Sequence, residues 1–398
     1  MTVVGLLAEA KDERRAAMDP ASARQLMDRF GVQVLVESSD QRAFTDAEYR
    51  RAGVEVVSGL PDADILLGVK EVAPEQLIRG RTYLCFAHVV REQAENRALM
   101  QAAIRLDTRL IDYSRIVRPD GLSVLGFGRW AGIVGAYEGL RAYGRKVDRF
   151  ELPSALDVGR IEGLLAALST IDLGTPVIAI TGSGRVATGA ALVVQAAGAD
   201  EVSADALRTP MPGAARFARL PPEHYARRRD GGPFDFHQFV RHPEEFESAF
   251  APFTQAADLL ITGHVWNPRG PRLFERSEVV DPGFRIRTIA DITCDIGGSV
   301  PTTLRAADIA NPSYDVDPLR FEERPPFSSD GITMMAADNL PTAVPRDATA
   351  EFGAALVEEV FPALLGEAED DGRIAGATIA VDGMLTAPYA YLASYAGL

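Results

Sequence analysis

Short apolar runs alternate with helical stretches along this chain, and that alternation limits the folds open to it. The first part contains VVGLLAE (3–9), VQVLVES (32–38), ADILLGVKE (63–71) and RTYLCFAHV (81–89). Segments apolar on both faces are strands buried on both faces, which is the condition of a parallel sheet covered by helices. The connecting stretches supply the helices. DPASARQLMDRFG (19–31) predicts one with Asp19 as N-cap, Pro20 in the first position and Gly31 past the end. EQAENRALMQAAIRL (92–106) is amphipathic at helical spacing, and TRLIDYSRIV (108–117) reads as a further strand and its exit.

Around 121–145 the pattern changes. GLSVLGFGRWAGIVGAYEGLRAYGR predicts a long connecting helix between two domains, closely packed because of its glycines and alanines. A second βαβ series follows in TPVIAITGSGRVATGAALVVQAAGADEVSADAL (175–207). Residues from about 209 to 256 are polar, dotted with proline, and rich in arginine and aromatics; they read as a helical insertion. ADLLITG (257–263) and RTIADITCD (287–295) predict more strands, and the region after 331 ends in a long amphipathic helix opened at Asp347. There is no fixed-period repeat and no low-complexity tract.

Composition excludes several classes. With 41 basic and 56 acidic residues the net charge is 41 − 56 = −15, the opposite of a nucleic-acid footprint. No apolar run approaches the roughly 20 residues of a membrane helix, and MTVVGLLAEAKDERR lacks the basic n-region of a signal peptide. Cys85 and Cys294 are too few for a disulfide framework or a cysteine-rich zinc site. His224, His237 and His242 fit no compact zinc pattern and read as surface residues, so no metal is expected. A cytoplasmic protein with small-molecule partners is the expectation, its oligomeric state open. The lysines are Lys11, Lys70 and Lys146 against a background of arginine. Codon usage accounts for that background; a lysine kept among apolar neighbours asks for a further reason.

Two constellations carry chemistry. The first is Ile178-Ala-Ile-Thr-Gly182-Ser183-Gly184-Arg185-Val186-Ala187 between a strand and a helix. Gly182 permits a tight turn, Gly184 lets the backbone approach a pyrophosphate, and Ala187 allows close helix–strand packing. The helix N-terminus behind it offers free N–H groups and a positive dipole end. Gly182-Ser183-Gly184 is no nucleophile elbow, which needs a residue on each side between serine and the glycines. Asp205, about 20 residues on, is the candidate for an adenosine ribose and favours NAD; Ser203 and Arg208 keep NADP open. Otherwise Asp205 caps the next helix.

The second constellation is Gly68-Val69-Lys70-Glu71 with Phe86-Ala87-His88, both at C-terminal strand ends, where open α/β sheets put their ligands. A lysine at a desolvated strand end can exchange protons near neutrality, and histidine does so without help. The bland alternatives are a snorkelling surface lysine and a satisfied core histidine. In Glu13-Arg14-Arg15, an arginine can fork onto a substrate carboxylate, or the run is a solvated charged face.

Together these pieces resemble the alanine dehydrogenase and transhydrogenase superfamily, and within it the lysine-forming saccharopine dehydrogenases and the lysine–2-oxoglutarate reductase domain of bifunctional lysine-degrading enzymes. The matching segments are ERRAAMDP (13–20), ILLGVKE (65–71), FAHVVREQ (86–93), LIDY (110–113), GFGRWAGIVG (126–135), the glycine loop, HPEEF (242–246), LLITGHVW (259–266), ADITCDIGGS (290–299) and DNLPTAVPRDAT (338–349). The resemblance implies two Rossmann-like domains with parallel sheets and an active site in the cleft between them. A substrate domain would comprise 1–128 and 337–398, and an NAD(P)-binding domain 129–336. It implies interconversion of saccharopine with L-lysine and 2-oxoglutarate through an imine and a hydride transfer. Lys70 and His88 fall on the acid–base pair, Glu71 beside them, and Arg15 on the carboxylate-binding arginine. Asp205 falls on the ribose aspartate. Gly263 lies in the cofactor site, and Asp338, Asn339 and Leu340 fall on a cofactor-contacting loop. Two positions depart from the family pattern: Ser114 stands where an acidic residue follows LIDY, and Ser123 where an arginine precedes GFG. Arg91 and Arg129 are the candidates to replace that arginine. An alanine-dehydrogenase-like enzyme, a specialised imine reductase with another amine and oxo acid, and a non-catalytic dinucleotide-binding protein are the competing readings.

Overall fold

The computed structural model describes every residue except 10, 11 and 212, so Lys11 lies outside the described residues. The chain forms two compact units, Met1–Phe127 with Pro345–Leu398, and Gly128–Val344. The chain returns to the first unit at 344/345. Residues 337–344 therefore stay with the second unit, tied there by a bridge from Ala337 to Ala307. Among the described residues no helix is long and apolar enough to cross a membrane.

The first unit opens with six parallel strands: β1 (Val3–Leu6), β2 (Gln33–Glu37), β3 (Glu55–Val57), β4 (Ile65–Leu67), β5 (Thr82–Cys85) and β6 (Arg109–Asp112). Their order is β6-β5-β4-β1-β2-β3, so chain order reverses between β1 and β4. Alternation feeds both faces. Val4, Leu6, Val34, Val36, Leu67, Leu84 and Ile111 enter one core with the helix Pro20–Phe30 and Phe352. Leu35, Leu66, Tyr83, Cys85 and Leu110 enter the other with Leu99, Met100 and Ala103. The helix Pro20–Phe30 starts and stops as its sequence predicts. Asp19 accepts the Ser22 N–H at 3.0 Å, and Gly31 closes it at φ 63°.

The second unit holds β7 (Val177–Thr181), β8 (Asp200–Glu201), β9 (Arg216–Leu220), a hairpin of β10 (Ala226–Arg228) and β11 (Phe246–Ser248), then β12 (Leu259–Thr262), β13 (Thr288–Asp291), β14 (Ser313–Val316), β15 (Glu323–Arg324) and β16 (Ile332–Met335). Its sheet runs β15-β14-β16-β13-β12-β7-β9-β8, parallel except for β14 and β15. After the return, β17 (Thr378–Val381) and β18 (Met384–Leu385) add antiparallel strands beside β6. The protein is thus α/β with two largely parallel eight-stranded sheets.

Region 209–256 corrects the expectation of a helical insertion. It contributes β9, which pairs with β7 inside the sheet, and the β10–β11 hairpin; its helices are short. The arginines of RFARL disguise the strand. Arg216 is nevertheless buried, because its guanidinium donates to the carbonyls of Met211 (2.7 Å) and Thr209 (3.0 Å). The long connecting helix begins at Gly128 and ends at Lys146. A Cβ at Gly132 would lie 2.0 Å from the Val186 carbonyl oxygen, and one at Gly189 2.1 Å from that of Arg129. The helices Gly128–Lys146 and Arg185–Ala196 therefore touch backbone to backbone. The closing helix starts at Pro345, not Asp347, and changes to a π-turn over Leu356–Val360.

Lys146 has a structural reason to be lysine. Its ammonium is buried, with its pKa pulled down by burial, and donates to Asp315 Oδ2 (3.3 Å), the Gly331 carbonyl (2.7 Å) and the Ser328 carbonyl. Asp315 also accepts from Ser328 N–H (2.8 Å), Ser328 Oγ (2.6 Å) and Thr333 Oγ1 (2.6 Å). Removing one partner strands a buried charge. Lys146→Met is expected to lower the unfolding free energy of the second unit by about 3 kcal/mol, read as a shift of the urea midpoint.

Candidate active site

Parallel pairing brings the exits of β1, β4, β5 and β6 to one edge of the first sheet, and the polar side chains of that edge follow directly from them. Lys70 and Glu71 lie just past β4, His88 just past β5, Glu9 past β1, and Asp112 ends β6. Glu71 Oε1 lies 2.5 Å from His88 Nδ1. That hydrogen bond raises the His88 pKa above the ordinary imidazole value, against the opposing effect of burial; the same bond lowers that of Glu71. His88 adopts φ 49°, in the left-handed region that non-glycine residues rarely occupy. An aromatic floor backs it: the Phe86 ring stacks on His88 at 6.1 Å and packs on Tyr113, Phe127 and Phe352.

The other expected residues are placed as follows. Arg15 is buried, with its guanidinium 4.3 Å from the Phe127 ring centre. Its Nε and one terminal nitrogen donate to Glu13 at 2.8 and 2.6 Å, so that edge of the fork is already on a carboxylate. Arg91 is exposed in the turn after His88. Arg129 belongs to the second unit, over the Trp130 ring at 4.9 Å. Ser114 donates its N–H to Asp112 at 2.8 Å, and the Ser123 hydroxyl donates to the Leu125 carbonyl at 2.7 Å.

Sequence reasoning missed two carboxyls. Glu9 was read as the end of a strand, and Asp112 as part of LIDY. Asp112 is buried with Oδ2 unpartnered, and burial raises its pKa. Glu9 Oε1 and Oε2 accept the backbone N–H groups of Val69 (2.6 Å) and Lys70 (3.0 Å). Part of the residue reaches solvent, but its carboxyl is enclosed, and burial raises its pKa to about 7. The signal for both was position: each ends or follows a parallel strand at the ligand edge.

In the second unit Gly182 to Val186 follow β7, Gly263 follows β12, and Asp338 to Leu340 follow β16, again along one C-terminal edge. Gly182 has φ 96°, and a Cβ there would lie 2.5 Å from the Gly263 carbonyl oxygen. A Cβ at Gly184 would meet nothing within 4 Å, and no side chain caps the helix that begins at Arg185. This open glycine loop on a helix N-terminus fits a pyrophosphate. Ser203, rather than Asp205, caps the following short helix. Asp205 is 84% exposed and paired with Arg208. Because β9 lies between β7 and β8, Asp205 follows a strand one place further from the glycine loop than in the usual order, about 5 Å. Beside the loop, His264 Nδ1 meets Thr181 Oγ1 at 2.6 Å, and burial lowers its pKa to about 4, so it stays neutral at pH 7. Among the described residues no cluster of three His, Cys, Asp or Glu is arranged to hold a metal.

Two outcomes follow. Glu71→Gln is expected to bring the His88 imidazole back toward its ordinary value, read by NMR titration of the five histidines. The stabilising charge pair exists above the ordinary Glu pKa of 4.5 and below the ordinary His pKa of 6.5. It fades as pH rises through the raised His88 value and as pH falls through the lowered Glu71 value. Gly182→Ala is expected to cost about 2–4 kcal/mol in urea unfolding, from the left-handed backbone and the clash with Gly263.

Known proteins resemble this chain in sequence and in fold. Residues 5–134 match the family described as alanine dehydrogenase/PNT, N-terminal domain. The chain is 29% identical over 432 residues to the mitochondrial alpha-aminoadipic semialdehyde synthase of Mus musculus, covering 96% of this chain and 46% of that protein. It therefore spans about half the length of that relative. It is 24% identical to the saccharopine dehydrogenase [NAD(+), L-lysine-forming] of Neurospora crassa, over 92% of this chain and 91% of that one. Among solved structures, an L-alanine dehydrogenase superposes with TM-score 0.66 at 21% identity, covering 99% of both chains. The transhydrogenase from Sinorhizobium meliloti gives 0.58 at 15%, covering 97% and 99%. Residues 5–134 thus carry the alanine dehydrogenase/PNT N-terminal-domain pattern, and over almost its whole length the chain is similar to alpha-aminoadipic semialdehyde synthases and lysine-forming saccharopine dehydrogenases, on a fold shared with alanine dehydrogenase and transhydrogenase.

Proposed function

We propose that the chain is an NAD-dependent oxidoreductase acting on a C–N bond, converting saccharopine, NAD and water to L-lysine, 2-oxoglutarate and NADH, or the reverse. The observation that carries the reading is His88, clasped by Glu71, beside Lys70 on the exits of the adjacent strands β4 and β5. The chemistry needs such a pair. Water adds to the imine carbon, the carbinolamine then loses the amine, and each step moves a proton. His88, held toward its protonated form by Glu71, is suited to donate; Lys70 is suited to accept and return a proton. We assign the first unit to substrate and the second to the dinucleotide. Gly182, Ser183, Gly184, Arg185, Val186 and Gly263 would cradle the pyrophosphate side, with Asp338, Asn339 and Leu340 on the same edge. When bound, the nicotinamide supplies or takes the hydride. Asp205 supports NAD, while Ser203 and Arg208 leave NADP as an alternative.

A second reading keeps the reaction class and changes the substrate. Ser114 and Ser123 stand where an acid and an arginine are expected, and Glu13 occupies one edge of Arg15. A site short of one carboxylate fork favours an oxo acid with a single carboxylate.

The test is NADH and NADPH oxidation with lysine plus 2-oxoglutarate against ammonia plus pyruvate. Turnover of the first pair, with kcat/KM lowered about 10²–10⁴-fold in Lys70→Met, is the expected result. Turnover of the second pair alone moves the protein to an alanine-dehydrogenase-like activity. Cofactor binding with no turnover of a wider amine and oxo-acid panel, in wild type and Lys70→Met alike, returns it to a non-catalytic dinucleotide-binding protein.

A further inference from the structure

The first sheet reverses its chain order between β1 and β4, the place where open parallel sheets form a ligand crevice. One side chain bridges that point. Glu9, three residues past the end of β1, reaches the exit of β4 and accepts the successive N–H groups of Val69 and Lys70 at 2.6 and 3.0 Å, one on each carboxylate oxygen. The residues it binds are the turn that carries Lys70 out of the sheet. Val69 is buried and Gly68 donates to the Leu84 carbonyl at 3.0 Å, so the turn is fixed below Lys70 by the neighbouring strand and at Lys70 by Glu9.

We propose that Glu9 is a positioning residue for Lys70: its carboxylate, by holding both amides of the Val69–Lys70 turn, sets the direction in which the Lys70 amine leaves the sheet edge. Protonation changes that hold. An ionised carboxylate offers acceptor sites on both oxygens, whereas the acid form turns one oxygen into a donor and keeps one good acceptor. Burial brings this change into the neutral range, at about 7. The groups that face Glu9 are Glu13, which opposes its ionisation, Arg15, which favours it, and the buried Cys85 and Tyr113. The turn is therefore held by two anchors above neutrality and by one below it.

The role in turnover rests on the function proposed above; the position of the Lys70 amine does not, and the experiment separates them. The full chain holds three lysines, so trace acylation with acetic anhydride followed by peptide mapping reads Lys70 on its own, with an added free amine as the reference. Wild type is expected to show an inflection in Lys70 reactivity near pH 7 besides the amine's own titration, and Glu9→Gln to lack it. Coincident profiles for the two proteins overturn the proposal. With a turned-over substrate in hand, Glu9→Gln is expected to lower kcat about tenfold at little cost in KM and to remove the matching limb of the pH–rate profile. Absence of turnover in wild type bears on the function and leaves the labelling result standing. Should Glu9→Gln fail to fold, hydrogen exchange of wild type decides. Corrected for intrinsic rates, protection of at least one of the Val69 and Lys70 amides must fall below neutrality; protection of both that is independent of pH overturns the proposal.

Discussion

Parallel strand pairing is the constraint on which the rest depends. In the first sheet six parallel strands, and in the second another six, deliver every chain exit to one edge. Side chains far apart in sequence thereby share a border: Glu9, Lys70, His88 and Asp112 in the first unit, Gly182, Gly263 and Asp338 in the second. The two order reversals then differ in what fills them. In the second sheet, backbone meets backbone at Gly182 and Gly263, with no side chain between them. In the first, the Glu9 carboxylate closes the gap onto the amides of Val69 and Lys70. One topology thus sets small residues at one reversal and ionisable ones at the other.

Close helix contact holds the glycine loop in place. The helix Arg185–Ala196 begins at the glycine loop, and its Gly189 lies against the Gly128–Lys146 helix at backbone distance. The same long helix ends in the Lys146–Asp315 cluster at the far strands of the sheet. Close packing at one end and a satisfied buried charge at the other fix the loop relative to the sheet. The glycines of that helix are therefore packing residues, and its lysine a structural one.

Much of this was legible in the residues. The helix caps at Asp19 and Gly31, the strands of the first βαβ series and the glycine loop all follow from local rules of spacing and turn chemistry. Lys70 and His88 stood out because each closes an apolar run, and the scarcity of lysine pointed the same way. That second argument has narrower force than it seemed, since Lys146 owes its place to a buried carboxylate. The strand Arg216–Leu220 was hidden because arginines stand on it. The Arg216 head reaches carbonyls that lie in the preceding loop, and Arg219 pairs with Glu201, a satisfaction no pattern of apolar residues encodes. Insertion of that strand also sets Asp205, at about 20 residues from the glycine loop, beside a strand one place further out than the usual order puts it.

By itself the sequence determined the fold class and the residue types available for proton transfer, because apolar periodicity and short motifs are local properties of the chain. Tertiary structure alone decided which of those residues meet. That Glu71 clasps His88, that Glu13 takes one edge of Arg15, and that Glu9 reaches the Lys70 turn depend on strand order and on burial. Neither is a property of neighbouring residues: a carboxyl's partner and its proton affinity are set by what the folded chain brings within a few ångströms and by how much water it leaves there.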